Sequence, residues 1–178
     1  MILSDHDIHD RLNLGGTRQD ELVITPLGDG AIQPSSVDLR LGPKLLIATP
    51  DGFREHHLSD DGPYRLHQHT FLLAATLEWV EIPADLVGVL VGKSSRAREG
   101  IQVEAAGYVD PGWKGNLTLE IVMLSPQPTW LLLGQRIAQI RFETLSSPCL
   151  APYGSEGVGR YQNSHGPVQS RAVVGRAS

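Results

Sequence analysis

Glycine and proline cut this chain into short pieces, with 19 glycines and 12 prolines spread over 178 residues. Proline removes a backbone donor and glycine favours turns, so neither suits a long uninterrupted element. Several of the intervening pieces alternate apolar and polar residues with period two, or are short runs rich in Val, Ile and Leu, which is strand patterning. Residues 36–41, 44–48, 70–77, 79–82, 87–91, 116–123, 129–133 and 137–143 are predicted strands. Many short strands at regular spacing predict a barrel or a jelly-roll sandwich. Residues 49–63 are polar, with Gly, Pro and Asp, and read as a loop, while 93–99 read as one helical turn or more.

One further helix is predicted, at the N-terminus. Ser4 is a good N-cap and Asp7, three residues on, makes a capping-box variant. Leu3 and Ile8 form a hydrophobic staple, Ile8 and Leu12 share a face, and Gly15-Gly16 ends the helix. The length suits a single domain over residues 1–178. Within it, residues 146–178 are rich in Gly, Ser, Pro and Asn with little periodicity. They read as a flexible C-terminal arm that orders on a ligand or a neighbouring subunit.

A net charge of −5 disfavours non-specific nucleic-acid binding, so an anionic small ligand needs a local basic cluster. No apolar run is long enough for a membrane span, and the acidic start MILSDHDIHD is not a secretory signal. The single cysteine, Cys149, cannot form an internal disulfide or a Cys-x-x-Cys metal site. A cytoplasmic location fits these features.

Four segments could carry chemistry. In 93–98, Lys93, Ser94, Ser95, Arg96 and Arg98 put three cations and two hydroxyls after an apolar strand. They can bind phosphate oxygens, aided by a helix N-terminus if one starts here, or they form a solvated turn. In 105–113, Ala106, Gly107, Tyr108, Asp110 and Trp113 surround a short strand. Its small residues would admit a flat ligand, although Asp110 before Pro-Gly is often only a turn-maker. In 116–123, Glu120 shares a strand face with Asn116, Thr118 and Val122. Buried, that carboxylate would have a raised pKa suited to general acid–base work; wet, it is the polar side of an amphipathic strand. In 134–140, a turn leads into a strand with Gln139 and Arg141 on one face, a pattern that structure alone would explain. Zinc deaminases of nucleobases carry His-x-Glu and Pro-Cys-x-x-Cys ligand sets, and this sequence has neither. The pairs His56-His57 and His67-x-His69 lack a third ligand at familiar spacing. No Walker A loop, Gly-x-Ser-x-Gly elbow or Rossmann fingerprint occurs.

In order along the chain stand Gln33-Pro34-Ser35-Ser36-Val37-Asp38-Leu39-Arg40-Leu41, Gly92-Lys93-Ser94-Ser95-x-x-Arg98, Ala106-Gly107-Tyr108-Val109-Asp110-Pro111-Gly112-Trp113-x-Gly115, Thr118-Leu119-Glu120 and Gly134-Gln135-Arg136-Ile137-Ala138-Gln139. The ordered set resembles the dCTP deaminases, as do Leu3-Ser4-Asp5-x-Asp7-Ile8 and the tail residues Pro152-Tyr153-Gly154, Arg160-Tyr161-Gln162, Gly166-Pro167 and Ser170-Arg171. The resemblance spans nearly the whole chain, and the middle motifs also resemble the trimeric dUTPases of the same superfamily.

The resemblance implies a mostly-β, dUTPase-like (β-clip) jelly-roll-type barrel, assembled as a homotrimer with active sites between subunits. It implies zinc-independent deamination of dCTP to dUTP and ammonia, feeding dUMP and dTTP synthesis. Glu120 would activate the water that attacks C4 of cytosine, and Ser94 and Arg98 would hold that water and the base-proximal groups. Backbone around Ala106 and Gly107, with Tyr108, Trp113, Gln139 and Gln162, would bind the substrate. Lys93, Ser95, Tyr153 and Arg160 would grip the triphosphate, with Mg²⁺ held through the phosphates and no protein metal ligand. No nucleic-acid or membrane partner is implied.

Three departures qualify this. Lys93 to Asp110 spans 17 residues, one fewer than in the deaminases and equal to the dUTPase spacing. The shortened stretch 102–105 carries Glu104 where deaminases place a His that takes part in dTTP inhibition, so the resemblance leaves open whether dTTP inhibits this chain. Ser164 stands where a Gln often closes the pocket. Asp110 matches the dUTPase residue that activates water against the α-phosphate, but Trp113 stands at plus three as in deaminases. An Asp110–Glu120 pair also occurs in bifunctional enzymes that convert dCTP to dUMP. Four readings therefore stand: dCTP deaminase first, then a bifunctional deaminase–dUTPase giving dUMP and pyrophosphate, a plain dUTPase, and a catalytically inactive nucleotide-binding regulator.

Overall fold

Two helices and thirteen strands follow one another in the computed structural model, which describes residues 1–12, 21–103, 107–156 and 159–171. Helix α1 (Asp5–Leu12) leads to β1 (Val23–Thr25), β2 (Ile32–Gln33), β3 (Ser36–Arg40), β4 (Lys44–Thr49), β5 (Gly52–His57) and β6 (Tyr64–Leu66). The long strand β7 (Phe71–Glu81) and β8 (Leu86–Gly92) precede the single-turn helix α2 (Ser94–Ala97). Then come β9 (Ile101–Val103), β10 (Tyr108–Val109), β11 (Lys114–Met123), β12 (Thr129–Leu131) and β13 (Arg136–Thr144).

The strands form a six-stranded sheet, β5-β4-β7-β11-β9 with β1 also on β7, a five-stranded sheet, β10-β8-β13-β3-β2, and the small pair β12-β6. These are separate sheets and not one closed barrel among the described residues. Their inner faces share one core. Leu72 and Ala74 of β7 and Leu119 and Ile121 of β11 meet the cluster that also holds Val37, Leu39, Ile140 and Phe142 from the other sheet. Each fully buried Leu, Ile or Phe contributes roughly 1.5–3 kcal/mol of transfer free energy.

The alternation of β11 sorts its side chains cleanly: Leu117, Leu119, Ile121 and Met123 are buried, whereas Asn116, Thr118, Glu120 and Val122 are half-buried on the opposite face. The N-terminal helix has its predicted start. Asp7 Oδ2 accepts from Ser4 N at 3.2 Å and from Ser4 Oγ at 2.9 Å, while Asp7 N donates back to Ser4 Oγ. The Gly15-Gly16 stop lies outside the described residues.

Two expectations are corrected. Residues 70–77 and 79–82, read as two strands, form the single β7 with a bulge: Asn116 pairs with Trp79 and Thr118 with Ala75, so Thr76, Leu77 and Glu78 face Leu117 alone. Residues 49–63, read as a loop, contain β5, a hairpin partner of β4 in register Lys44↔His57 through Thr49↔Gly52. No residue of β5 is buried, so its sequence lacks the apolar alternation that reveals a half-buried strand.

Candidate active site

The outer face of the six-stranded sheet opens into a cavity of about 620 Å³. Its floor is Thr118 and Glu120 of β11 with Leu73 of β7, and its wall is Gly107, Tyr108, Val109 and Asp110 followed by Trp113. Phe53 of β5 and Phe71 of β7 also line it. Gly107 allows the wall to approach: its carbonyl accepts from Leu90 N at 2.7 Å, and a Cβ there would collide with the Leu90 carbonyl oxygen. The half-buried face that carries Glu120 is therefore a cavity face, and the cavity puts a second carboxylate, Asp110, in the same space.

The C-terminal tail covers this face. Tyr153, Tyr161, Val168 and Ser170 line the cavity from above β11, and the Tyr153 ring lies 5.5 Å from that of Trp113. Tyr153 Oη accepts from Tyr161 N at 2.9 Å. Gln162 works as a clasp and does not line the cavity: its Nε2 donates to Gly112 O at 2.8 Å and its Oε1 accepts from Lys114 N at 3.0 Å. Ser164 is 4% exposed and bridges in parallel to Gly115, whose own Cβ would lie 3.0 Å from the Ser164 carbonyl oxygen. The Arg171 N–H donated to Tyr161 Oη holds the Tyr161 phenol below its ordinary pKa, against the opposing effect of burial and with help from Ser170 and Arg160.

A second recess, of about 400 Å³, lies elsewhere on the same chain and is lined by Gln33, Asp38, Lys93, Ser95, Arg96 and Arg136, with Leu132 and Gln135. Asp38 is 2% exposed and takes Lys93 Nζ at 2.5 Å and an Arg136 guanidinium nitrogen at 3.1 Å. Arg96 Nε and Gln135 Nε2 are buried there without a hydrogen-bond partner among the described residues. Such orphaned donors suit an anion. Helix α2 is a single turn, so it adds little dipole.

The residues singled out in sequence thus fall into groups. Glu120, Asp110, Gly107, Tyr108, Trp113 and Tyr153 share one cavity, and Lys93 and Ser95 line the other. Ser94, Arg98 and Arg160 are exposed, and with Gln139 they line neither. Ala106 and Glu104 lie outside the described residues. His56 Nε2 sits 2.9 Å from the Gly62 carbonyl and His57 Nε2 3.4 Å from Glu55. Among the described residues no three His, Cys, Asp or Glu come together as a metal-ligating group, and no helix is long and apolar enough to cross a membrane. Sequence reasoning quoted Asp38, Thr118, Tyr161 and Ser170 inside motifs without giving them a role, and it missed Phe53, Phe71 and Val168. The aromatics at 53 and 71 become visible only once β5 is a strand beside β4, which in turn pairs with β7.

Residues 2–145 match the family described as dCTP deaminase-like. Over 189 residues the chain is 41% identical to a dCTP deaminase of Halorubrum lacusprofundi, covering 96% of this chain and 91% of that protein. Over 188 residues it is 42% identical to a dCTP deaminase, dUMP-forming, of Methanosphaera stadtmanae, covering 96% and 93%. Among solved structures, the 2′-deoxycytidine 5′-triphosphate deaminase of Agrobacterium tumefaciens is similar with a TM-score of 0.66 and 28% identity over 81% of this chain, which spans 48% of that one. EIAV dUTPase shares the fold at a TM-score of 0.52 and 17% identity, with 77% of this chain and 99% of that one covered.

Proposed function

The chain belongs to the dCTP deaminase-like family, and on that footing we propose that it deaminates dCTP in the Glu120 cavity, forming dUTP and ammonia. The observation that carries this reading is a half-buried carboxylate on the floor of a cavity lined mostly by aromatic and aliphatic side chains. Glu120 takes a proton from water as the water oxygen bonds to C4 of cytosine and delivers it to ring N3, then moves the remaining proton from the new C4 hydroxyl to the departing amino nitrogen. The C4–N bond breaks, and dCTP plus water becomes dUTP plus ammonia. Water is a weak nucleophile, and a positioned carboxylate base is worth typically 10²–10⁴ in rate. Gly107 brings its backbone close enough to read the pyrimidine edge.

The separation of the two recesses supports a site shared between subunits, and a homotrimer is the assembly that the resemblance to the trimeric dUTPases implies. Lys93 and Ser95 line a recess apart from the Glu120 cavity, and Ser94 and Arg98 stand exposed on the same turn. A neighbouring subunit that presents this turn to the Glu120 cavity would add the phosphate-binding and water-holding groups, in a closed ring of repeated head-to-tail contacts. Tyr153 and Arg160 of the tail would complete the grip on the triphosphate. The substrate is taken as its Mg²⁺ complex. The recess suits this: its one buried carboxylate is engaged by Lys93 and Arg136, leaving cationic and amide donors for phosphate oxygens and the ion to ride on phosphate and water. There a phosphate-bound ion would lower the charge that the cations must neutralise. A cytoplasmic location is proposed on the ground that the substrate is a soluble nucleotide.

A second reading follows from Asp110, which lines the same cavity as Glu120. There it could activate a second water against the α-phosphate and carry dUTP on to dUMP and pyrophosphate. Incubation with dCTP and Mg²⁺, with ammonia and pyrophosphate followed in parallel, separates the cases. Ammonia with dUTP alone supports the monofunctional enzyme, and ammonia with dUMP and pyrophosphate the bifunctional one. Hydrolysis of dUTP without turnover of dCTP would make it a dUTPase, and no turnover of either would leave a nucleotide-binding regulator.

A further inference from the structure

The tail meets β11 without forming a regular ladder. Lys114 O accepts from Asn163 N and Asn116 N donates to Ser164 O, both at 2.9 Å, but beyond that point side-chain oxygens of the strand accept from the tail in place of its backbone carbonyls. Gly166 N donates to Asn116 Oδ1 at 3.1 Å and Val168 N to Thr118 Oγ1 at 3.2 Å. The tail advances two residues for each two of the strand, so both rungs have the same offset and use only the face that carries Glu120. One further step along both brings Ser170 level with Glu120, and both line the same cavity. The Asn116 amide also donates from Nδ2 to Glu78 O at 3.0 Å, so its oxygen is oriented towards the tail by the β7 bulge.

We propose that Asn116 and Thr118 are positioning residues that hold the C-terminal tail in register with the strand bearing Glu120, so that Tyr161 and Ser170 close the cavity over substrate. The proposal rests on the deaminase reading for its kinetic consequence but not for its structural one. Backbone ladders tolerate slippage wherever side chains do not set the register. Here each rung needs an oxygen on a particular side chain, so a tail shifted by one residue loses both. The closing residues are thereby tied to the position of the base.

Thr118→Val keeps the branched strand side chain and removes the acceptor, and Thr118→Ser restores it. The valine variant should raise KM for dCTP roughly fivefold, the loss of about one net hydrogen bond, with kcat nearly unchanged and the serine variant close to wild type. Amide hydrogen exchange of residues 166–171, measured without nucleotide, should quicken in the valine variant and return to normal in the serine variant. In a chain ending at His165, Thr118→Val should add nothing, because the two changes remove the same contact. Unchanged exchange in the valine variant overturns the proposal, as does quickened exchange with unchanged KM. A full fivefold effect surviving in the shortened chain also overturns it, since Thr118 would then act directly in the cavity. Absence of ammonia release by the wild type removes the deaminase reading alone, and the exchange of residues 166–171 still decides the register.

Discussion

Asp38 Oδ1 lies 2.5 Å from Lys93 Nζ, on a carboxylate that is 2% exposed. A cation expected to grip triphosphate is thus already held by a buried anion, which Arg136 also contacts. The pair fixes the turn that carries Ser94 and Ser95 against β3, since Lys93 and Asp38 are 55 residues apart in sequence. Asp38→Asn should lower stability by about 1–3 kcal/mol, because the buried charged acceptor of both Lys93 and Arg136 is lost while the two cations keep access to solvent. Urea unfolding of Asp38→Asn, Lys93→Met and the double variant tests this. The double variant should recover part of the loss, and strictly additive effects would mean that the pair is not coupled.

Glu120→Gln keeps the shape of the side chain and removes its basicity. Ammonia release from dCTP should fall by roughly 10²–10⁴-fold, while dCTP binding measured by calorimetry persists. Full activity in this variant would take the role of base away from Glu120.

Asp110→Asn discriminates between the two product readings. In a bifunctional enzyme it should stop pyrophosphate release and leave ammonia release running, so that dUTP accumulates in place of dUMP. Loss of ammonia release in step with pyrophosphate would show that Asp110 serves the shared cavity as a whole.

Legibility of the fold in sequence followed burial. The 116–123 strand was readable because Leu117, Leu119, Ile121 and Met123 face one core, and that same alternation isolated Glu120 on the other side. The hairpin strand β5 was not readable because none of Gly52–His57 is buried. Glu78 was also hidden: it is 1% exposed and bound to Arg40, whose Nε lies 2.6 Å away, but that partner is 38 residues distant. Local patterning carries no trace of such a pairing. The tail showed little periodicity because its contacts run through the side-chain oxygens of Asn116 and Thr118 and not through a ladder of its own. The motif order identified the cavity wall and floor together, yet it could not say that Lys93 and Ser95 would open on a different recess from Glu120.

That division into two recesses leads to a test by subunit exchange. Arg98→Ala and Glu120→Gln should each lower deamination by orders of magnitude. If the proposed homotrimer brings Arg98 to the Glu120 cavity of a neighbouring subunit, trimers reassembled from an equal mixture regain activity, since some sites combine an intact Glu120 with an intact Arg98. Random mixing around a three-fold ring makes that fraction roughly a quarter. A mixture that stays inactive would place both residues in one subunit's site.

Glu81 supplies a pH test that does not depend on catalysis. Burial acts to raise its pKa, but the hydrogen bond from Lys114 Nζ at 2.6 Å, that from Trp79 Nε1 at 2.9 Å and the Lys114 charge outweigh it, so the folded carboxyl titrates below its ordinary 4.5. A depressed folded pKa stabilises the protein above the unfolded pKa, and the benefit fades as pH falls through the folded value. Glu81→Gln has no such group. The stability difference between wild type and variant should therefore be constant at neutral pH and shrink on acidification below about 4.5. Lys114 is half exposed, so added salt should also narrow the difference. Trp79 reports the same site, because its Nε1 donates to Glu81 Oε1 at 2.9 Å. A difference that stays flat into acid would mean that the Lys114 and Trp79 contacts do not favour the charged form of Glu81 in solution.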